Sequence, residues 1–117
     1  MSQYRIYHNP RCSKSRNTLA LLHDRGIEPE VVLYLENTPD VATLKQLLGY
    51  LGLGAAELVR KGEDDYRALG LNASSSEQEL LQAMASHPKL IERPVVVRGK
   101  QAVLGRPPEN VLALIDR

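Results

Sequence analysis

The first third of the chain alternates between short apolar runs and one helical pattern. Tyr4-Arg5-Ile6-Tyr7 is a β-prone run, ended by the turn chemistry of His8-Asn9-Pro10. A helix is predicted over about residues 13–25, with Leu19 and Leu22 on its inner face and Gly26 where a C-terminal cap belongs. Val31-Val32-Leu33, within residues 30–34, is a continuous apolar run flanked by Pro29 and a polar stretch. That pattern predicts a strand buried on both faces. Strand, helix, strand in this span is a βαβ unit, which implies parallel pairing and a right-handed crossover.

The middle of the chain shows only the helical period. In Thr38-Pro39-Asp40, Thr38 is expected to cap a helix, with Pro39 in its first turn and Asp40 at the positive dipole end. Leu44, Leu47, Leu48 and Leu51 follow at helical spacing, and Gly52 and Gly54 stop it. Short helices are expected over about 55–60 and 66–69, the latter ended by Gly70. Ser76 with Glu79 forms a capping box for a helix carrying Leu80, Leu81 and Met84, which stops before Pro88. Strands resume at Pro94-Val95-Val96-Val97, and Arg98-Gly99-Lys100 turns the chain back into Ala102-Val103-Leu104 as a hairpin. Pro107-Pro108-Glu109 opens a last helix through Ile115. The order is βαβ, helices, ββα. This predicts an α/β, thioredoxin-like fold: a mixed four-stranded sheet with an all-helical insertion at about 39–86, between the second and third strands, within one domain spanning 1–117.

Composition narrows the function. The 117 residues are 43% apolar and 25% charged, ordinary globular proportions. No apolar run approaches a membrane span of about 20 residues, and no apolar signal core follows the N-terminus, so neither membrane insertion nor export is expected. A net charge of +1 argues against general nucleic-acid binding, but the charge is uneven: +4 over residues 1–25, −6 over 26–92 and +3 over 93–117. Two basic ends folding together would make a positive site for a small anion, and the same pattern also serves solubility. A single cysteine excludes an intramolecular disulfide and a thiolate cluster for metal. It also makes the reducing cytoplasm the expected compartment.

That cysteine, Cys12, stands after a strand and a turn, at the start of the first helix. The N–H groups and positive dipole end of the helix, the nearby Arg11, Lys14 and Arg16, and the Ser15 hydroxyl all favour a nucleophilic thiolate. A phosphatase-type loop needs an arginine where Thr18 stands, and a dithiol motif needs a cysteine where Ser15 stands. An outside thiol must therefore complete any redox cycle. His8, four residues earlier, either tunes the thiol or serves as a turn residue. Arg93-Pro94 precedes a strand after a helix and a loop, which suits a cis bond aiming Arg93 at the helix start. Arg60 ends a short helix and Arg106 follows the hairpin. Each arginine alone also fits a solvated surface position. Gly52-Leu53-Gly54 lacks the third glycine of a dinucleotide loop.

The opening His8-Asn9-Pro10-Arg11-Cys12-Ser13-Lys14-Ser15-Arg16-Asn17-Thr18 resembles the active-site start of the glutaredoxin-coupled arsenate reductase family. Leu33-Tyr34-Leu35-Glu36-Asn37, Leu58-Val59-Arg60-Lys61, Ile91-Glu92-Arg93-Pro94 and Gly105-Arg106-Pro107-Pro108-Glu109 are similar to its later segments, in order and spacing. Without the C-terminal tail of longer members, the chain looks most like the short chromosomal subgroup. The resemblance implies a thioredoxin-like fold, Cys12 as nucleophile on arsenate, and Arg60, Arg93 and Arg106 holding the oxyanion. It implies an arsenic–thiol adduct, attack by glutathione as cosubstrate, reduction by glutaredoxin and release of arsenite. His8 and Ser15 match positions that support the thiolate. No tightly bound cofactor or metal is implied, and a monomer is expected. Two other readings stand beside it. One is a glutathione-dependent reductase of protein or small disulfides, which needs no arginine cluster. The other is an Spx-type regulator that binds RNA polymerase. Such regulators commonly carry Cys-x-x-Cys and lack the His-Asn-Pro start, whereas this chain has Ser15 and the full opening.

Overall fold

The computed structural model describes residues 3–116. In chain order the elements are β1 (Tyr4–His8), α1 (Ser13–Asp24), β2 (Glu30–Leu33), α2 (Val41–Leu51), α3 (Ala55–Leu58), α4 (Asp64–Ala68) and α5 (Glu77–Ser86). A 3-10 turn (Pro88–Leu90), β3 (Val95–Arg98), β4 (Gln101–Leu104), a second 3-10 turn (Pro108–Asn110) and α6 (Val111–Ile115) follow. They fall into two compact units, one of residues 1–37 and 93–117, the other of residues 38–92.

The first unit holds a four-stranded sheet in the order β2-β1-β3-β4. β1 runs parallel to β2 and antiparallel to β3, and β3 and β4 form the hairpin. This is the mixed, thioredoxin-like sheet expected from the element order. Ile6 pairs with Val96 in register, and both are fully buried with Leu22 of α1 and Val111 and Leu114 of α6. Burying an aliphatic side chain of this kind contributes roughly 1.5–3 kcal/mol. Gly99 turns the hairpin at φ 62°, a left-handed conformation that glycine adopts without a side-chain clash.

One expectation for this unit needs correction. β2 is not buried on both faces: Glu30 and Val31 are exposed, and Val32 and Leu33 half-buried. It is the edge strand, paired on one side only, so its apolar run does not mark an interior position. The inner face of α1 carries Leu22 and the half-buried Leu19 against the core, as expected, and also Ser15 and Thr18, both fully buried. Those two polar positions belong to the candidate site.

In the second unit, Asp40 rather than Thr38 caps α2, its carboxylate accepting from the Thr43 N–H at 2.8 Å. Asp40 is the cap because it stands directly before the first helical residue, where its carboxylate reaches the Thr43 N–H. The Ser76–Glu79 capping box on α5 is present in both directions. α5 packs against α2 and α3. After α3 the backbone at Leu58 and Arg60 bonds to Glu92 and Leu90, and Val59 forms an isolated bridge with Ile91. No strand of the sheet comes from this unit.

Candidate active site

The turn after β1 delivers Cys12. The Cys12 N–H donates to the Asn9 carbonyl at 3.0 Å, and Asn9 Oδ1 accepts from the Arg11 N–H at 3.0 Å. Arg16 Nη1 donates back to the Pro10 carbonyl at 2.8 Å. Cys12 thereby becomes the N-cap of α1, with extended φ and ψ, while its carbonyl accepts the Arg16 N–H. Its half-buried thiol faces the N–H groups that the first helical turn leaves without partners.

Burial alone would raise the thiol's pKa. The Ser15 N–H, the charge of Arg93, the Lys14 N–H and a hydrogen bond from Arg93 oppose it, and the net result lies below the ordinary thiol value. The source of the positive charge differs from the local reading. Arg11, Lys14 and Arg16 are exposed, and Arg16 is spent on the loop backbone. The cation acting on the sulfur is Arg93, 81 positions along the chain. The Ser15 hydroxyl is likewise not aimed at the thiol. It accepts from the Asn9 N–H at 3.0 Å and shares a proton with His8 Nδ1 at 2.6 Å. Ser15 supports the thiolate through its backbone N–H, and its side chain holds the loop.

His8 closes β1 with its side chain buried. Burial, and then the charge of Arg16, push its pKa below the ordinary histidine value, so the ring is neutral at neutral pH. Its ring meets the Ser15 hydroxyl, which also accepts from the Asn9 N–H in the turn before Cys12.

Arg93 and Arg106 come from the two ends of the hairpin. Arg106 Nη1 donates to the Arg93 carbonyl at 3.2 Å. The Arg93–Pro94 peptide bond is cis, as expected, and Arg106–Pro107 is cis as well, which was not. Three residues that motif reading passes over hold this corner. The Gly105 N–H donates to the Pro94 carbonyl at 2.9 Å. A Cβ on Gly105 would lie 2.5 Å from Thr18 Oγ1 and 2.8 Å from Pro94 Cγ, so glycine is required there for space. Thr18 Oγ1 sits 2.8 Å from the Lys14 carbonyl and 3.3 Å from that of Gly105. Asn110 Nδ2 donates to the carbonyls of Leu104 and Arg106, bracketing the turn. The one signal in the sequence for this corner is the small residue directly before Arg106.

Arg60 belongs to the helical unit. There its guanidinium pairs with Glu63, and at 3.1 Å with Glu92. The bridge between residues 59 and 91 puts Arg60 and Glu92 side by side. Among the described residues no three His, Cys, Asp or Glu side chains converge as a metal site would require, and no helix is long and apolar enough to cross a membrane.

A thiol of lowered pKa at a helix start, with Arg93 acting on it and Arg106 tied to Arg93, is the equipment of a nucleophile for an anion, and the relatives of this chain agree with that class. The sequence matches the ArsC family over residues 7–114, and the chain belongs to that family. It is 47% identical to an arsenate reductase of Neisseria meningitidis, covering 98% of this chain and all of that one. It is 58% identical to an uncharacterized Escherichia coli protein, YfgD, over 97% of each chain. The solved arsenate reductase from Vibrio cholerae superposes with a TM-score of 0.91 at 53% identity, covering 94% of this chain and 95% of that one.

Proposed function

We propose that this protein is a thiol-dependent arsenate reductase, with Cys12 as nucleophile and glutathione and glutaredoxin as the source of electrons. The observation that carries the reading is the coupling of Cys12 to Arg93, with Arg106 tied to Arg93. Arsenate is anionic at neutral pH, so a thiolate attacking it brings negative charge towards negative charge. Guanidinium groups fixed beforehand lower that barrier, because they neutralise the oxygens as charge develops and need no reorganisation.

In the first step the Cys12 thiolate bonds to arsenic of the monoanion and one arsenate oxygen leaves as water, both of its protons coming from the oxyanion. Arsenic remains pentavalent in this adduct. Reduction to arsenite takes two electrons, which two thiols supply as they join in a disulfide. Cys12 is the chain's one cysteine, so the second thiol comes from outside. Glutathione attacks the Cys12 sulfur, the sulfur–arsenic bond breaks with its electron pair going to arsenic, arsenite leaves, and glutaredoxin reduces the mixed Cys12–glutathione disulfide. Arg93 and Arg106 hold the oxyanion in this scheme. The resemblance to the family adds Arg60 as a third oxyanion arginine.

The test is arsenite release from arsenate with glutathione and glutaredoxin supplied. The parent should release arsenite, and Cys12→Ser should release none while still binding an oxyanion. No release from the parent at saturating thiol would remove the assignment.

A further inference from the structure

A cleft of about 310 Å³ opens beside the Cys12 turn, its walls including Pro10, Arg11, Leu33, Leu35 and Glu36. Both walls are built in advance. On one side the Asn9 side chain and Arg16 pin the turn that carries Pro10 and Arg11. On the other, the Glu36 and Asn37 N–H groups both donate to the Leu33 carbonyl, closing a turn at the end of β2. His8 pairs with Leu33 in register, so the walls rise from the carboxyl ends of two adjacent parallel strands. That end of an open α/β sheet is where ligands commonly bind.

The lining has a definite chemistry. Leu33, Leu35 and Pro10 are apolar, and Leu35 keeps 40% of its surface exposed at the cleft. Arg11 supplies one positive charge and Glu36 one negative. A lone inorganic anion would have no use for the leucines or the carboxylate. A small zwitterionic peptide uses all of them, and a cleft at the low end of the ordinary ligand-site range suits a tripeptide better than a folded partner.

We propose that this cleft seats the free peptide thiol, glutathione, beside Cys12, with Arg11 taking a carboxylate and Glu36 the α-ammonium. The proposal rests on the arsenate-reductase reading for its need of an outside thiol. The cleft explains why an edge strand continues into an exposed leucine, and it separates the seat of the reductant from the arginine corner that takes the oxyanion.

The probe is S-methylglutathione, which has the peptide but no thiol, titrated into ¹⁵N-labelled Cys12→Ser protein. Amide shifts should concentrate at Arg11, Leu35 and Glu36. Glu36→Lys and Leu35→Asp, both at exposed positions, should each weaken binding about fivefold or more. In turnover the same variants should raise the KM for glutathione by a similar factor and leave the KM for arsenate where it was. Shifts gathered around Arg93 instead, binding equal to the parent's in both variants, or perturbation of the cleft by glutaredoxin alone would each overturn the proposal. Its failure is separable from failure of the enzymatic reading. Arsenite release with an unmoved KM for glutathione in both variants sinks the cleft and keeps the enzyme. Localised shifts weakened by both variants, in a protein that releases no arsenite, keep the cleft and sink the enzyme.

Discussion

Within the sheet unit Arg5 pairs with the Glu30 carboxylate, but three other arginines there and Arg60 of the helical unit have different partners. In the sheet unit Arg16, Arg98 and Arg106 donate to main-chain carbonyls, of Pro10, of Leu114 and Ile115, and of Arg93. In the helical unit Arg60 lies between the carboxylates of Glu63 and Glu92. A carbonyl orients a guanidinium without cancelling its charge, whereas two carboxylates cancel it. The balance follows the same division: the sheet unit carries ten bases to six acids, the helical unit five to eight. Bases thus outnumber acids in the unit that holds the thiol and are outnumbered in the other. Being an arginine in a matching motif therefore does not settle what a residue does, because its partners decide how much charge reaches a ligand.

The sharpest test of this contrast compares Arg93→Ala with Arg60→Ala. Arg93 acts on the Cys12 thiol and, in the proposed mechanism, on the anion, so its loss should raise the thiol's pKa towards the ordinary value. It should also lower kcat/KM for arsenate by about a hundredfold, as two charge-assisted contacts at roughly tenfold each imply. Arg60→Ala should lower kcat/KM about tenfold and leave the thiol titration, followed by thiolate absorbance, where it was. Equal thiol titrations in the two variants would break the contrast.

Gly105→Ala tests whether the corner's packing matters as much as its charge. A methyl group placed 2.5 Å from Thr18 Oγ1 must push the turn aside. Overpacking of this kind costs about 1–3 kcal/mol, and displacing Arg106 should cut kcat/KM about tenfold or more. Thr18→Ala in the same chain should restore part of the loss. Thermal unfolding and steady-state kinetics on the single and double variants measure both effects.

A smaller effect concerns His8. Its pKa is depressed in the fold and ordinary, about 6.5, in the unfolded chain. Below that pH the unfolded chain takes up the proton first, so the His8 contribution is complete above about pH 6.5 and is lost as the pH falls. The loss is at most about 1.4 kcal/mol per pH unit for one proton. Urea midpoints at pH 7.5 and pH 5 should differ less in His8→Gln than in the parent.

The smallest expected change comes from Glu92→Gln. Removing one carboxylate from Arg60 should tighten competition by sulfate or phosphate against arsenate by up to about fivefold, the range of a partly exposed ion pair. No change would mean that Glu63 alone compensates Arg60.

Much of this was legible in the residues. The periodicity of Leu44, Leu47 and Leu48, the Ser76–Glu79 box, the hairpin around Gly99 and the place of Cys12 at a helix start all depend on neighbours a few positions apart. Local chemistry is what a linear sequence displays, and these features follow from it directly. Sheet order, register and side-chain partnership depend on segments far apart in the chain, and the tertiary structure decided them. It made β2 an edge strand despite its apolar run, because only β1 lies beside it. It gave the thiol Arg93 as its cation in place of its neighbours Arg11 and Lys14, because the hairpin brings a distant charge to the helix start while the near ones point to solvent. It set Arg60 beside Glu92 through the bridge of residues 59 and 91, and it packed Gly105 against Thr18 so closely that only a hydrogen fits. Each of these is a contact energy that exists only once the backbone has closed a long loop, and of these partners the sequence pointed only to Arg93, through the proline after it.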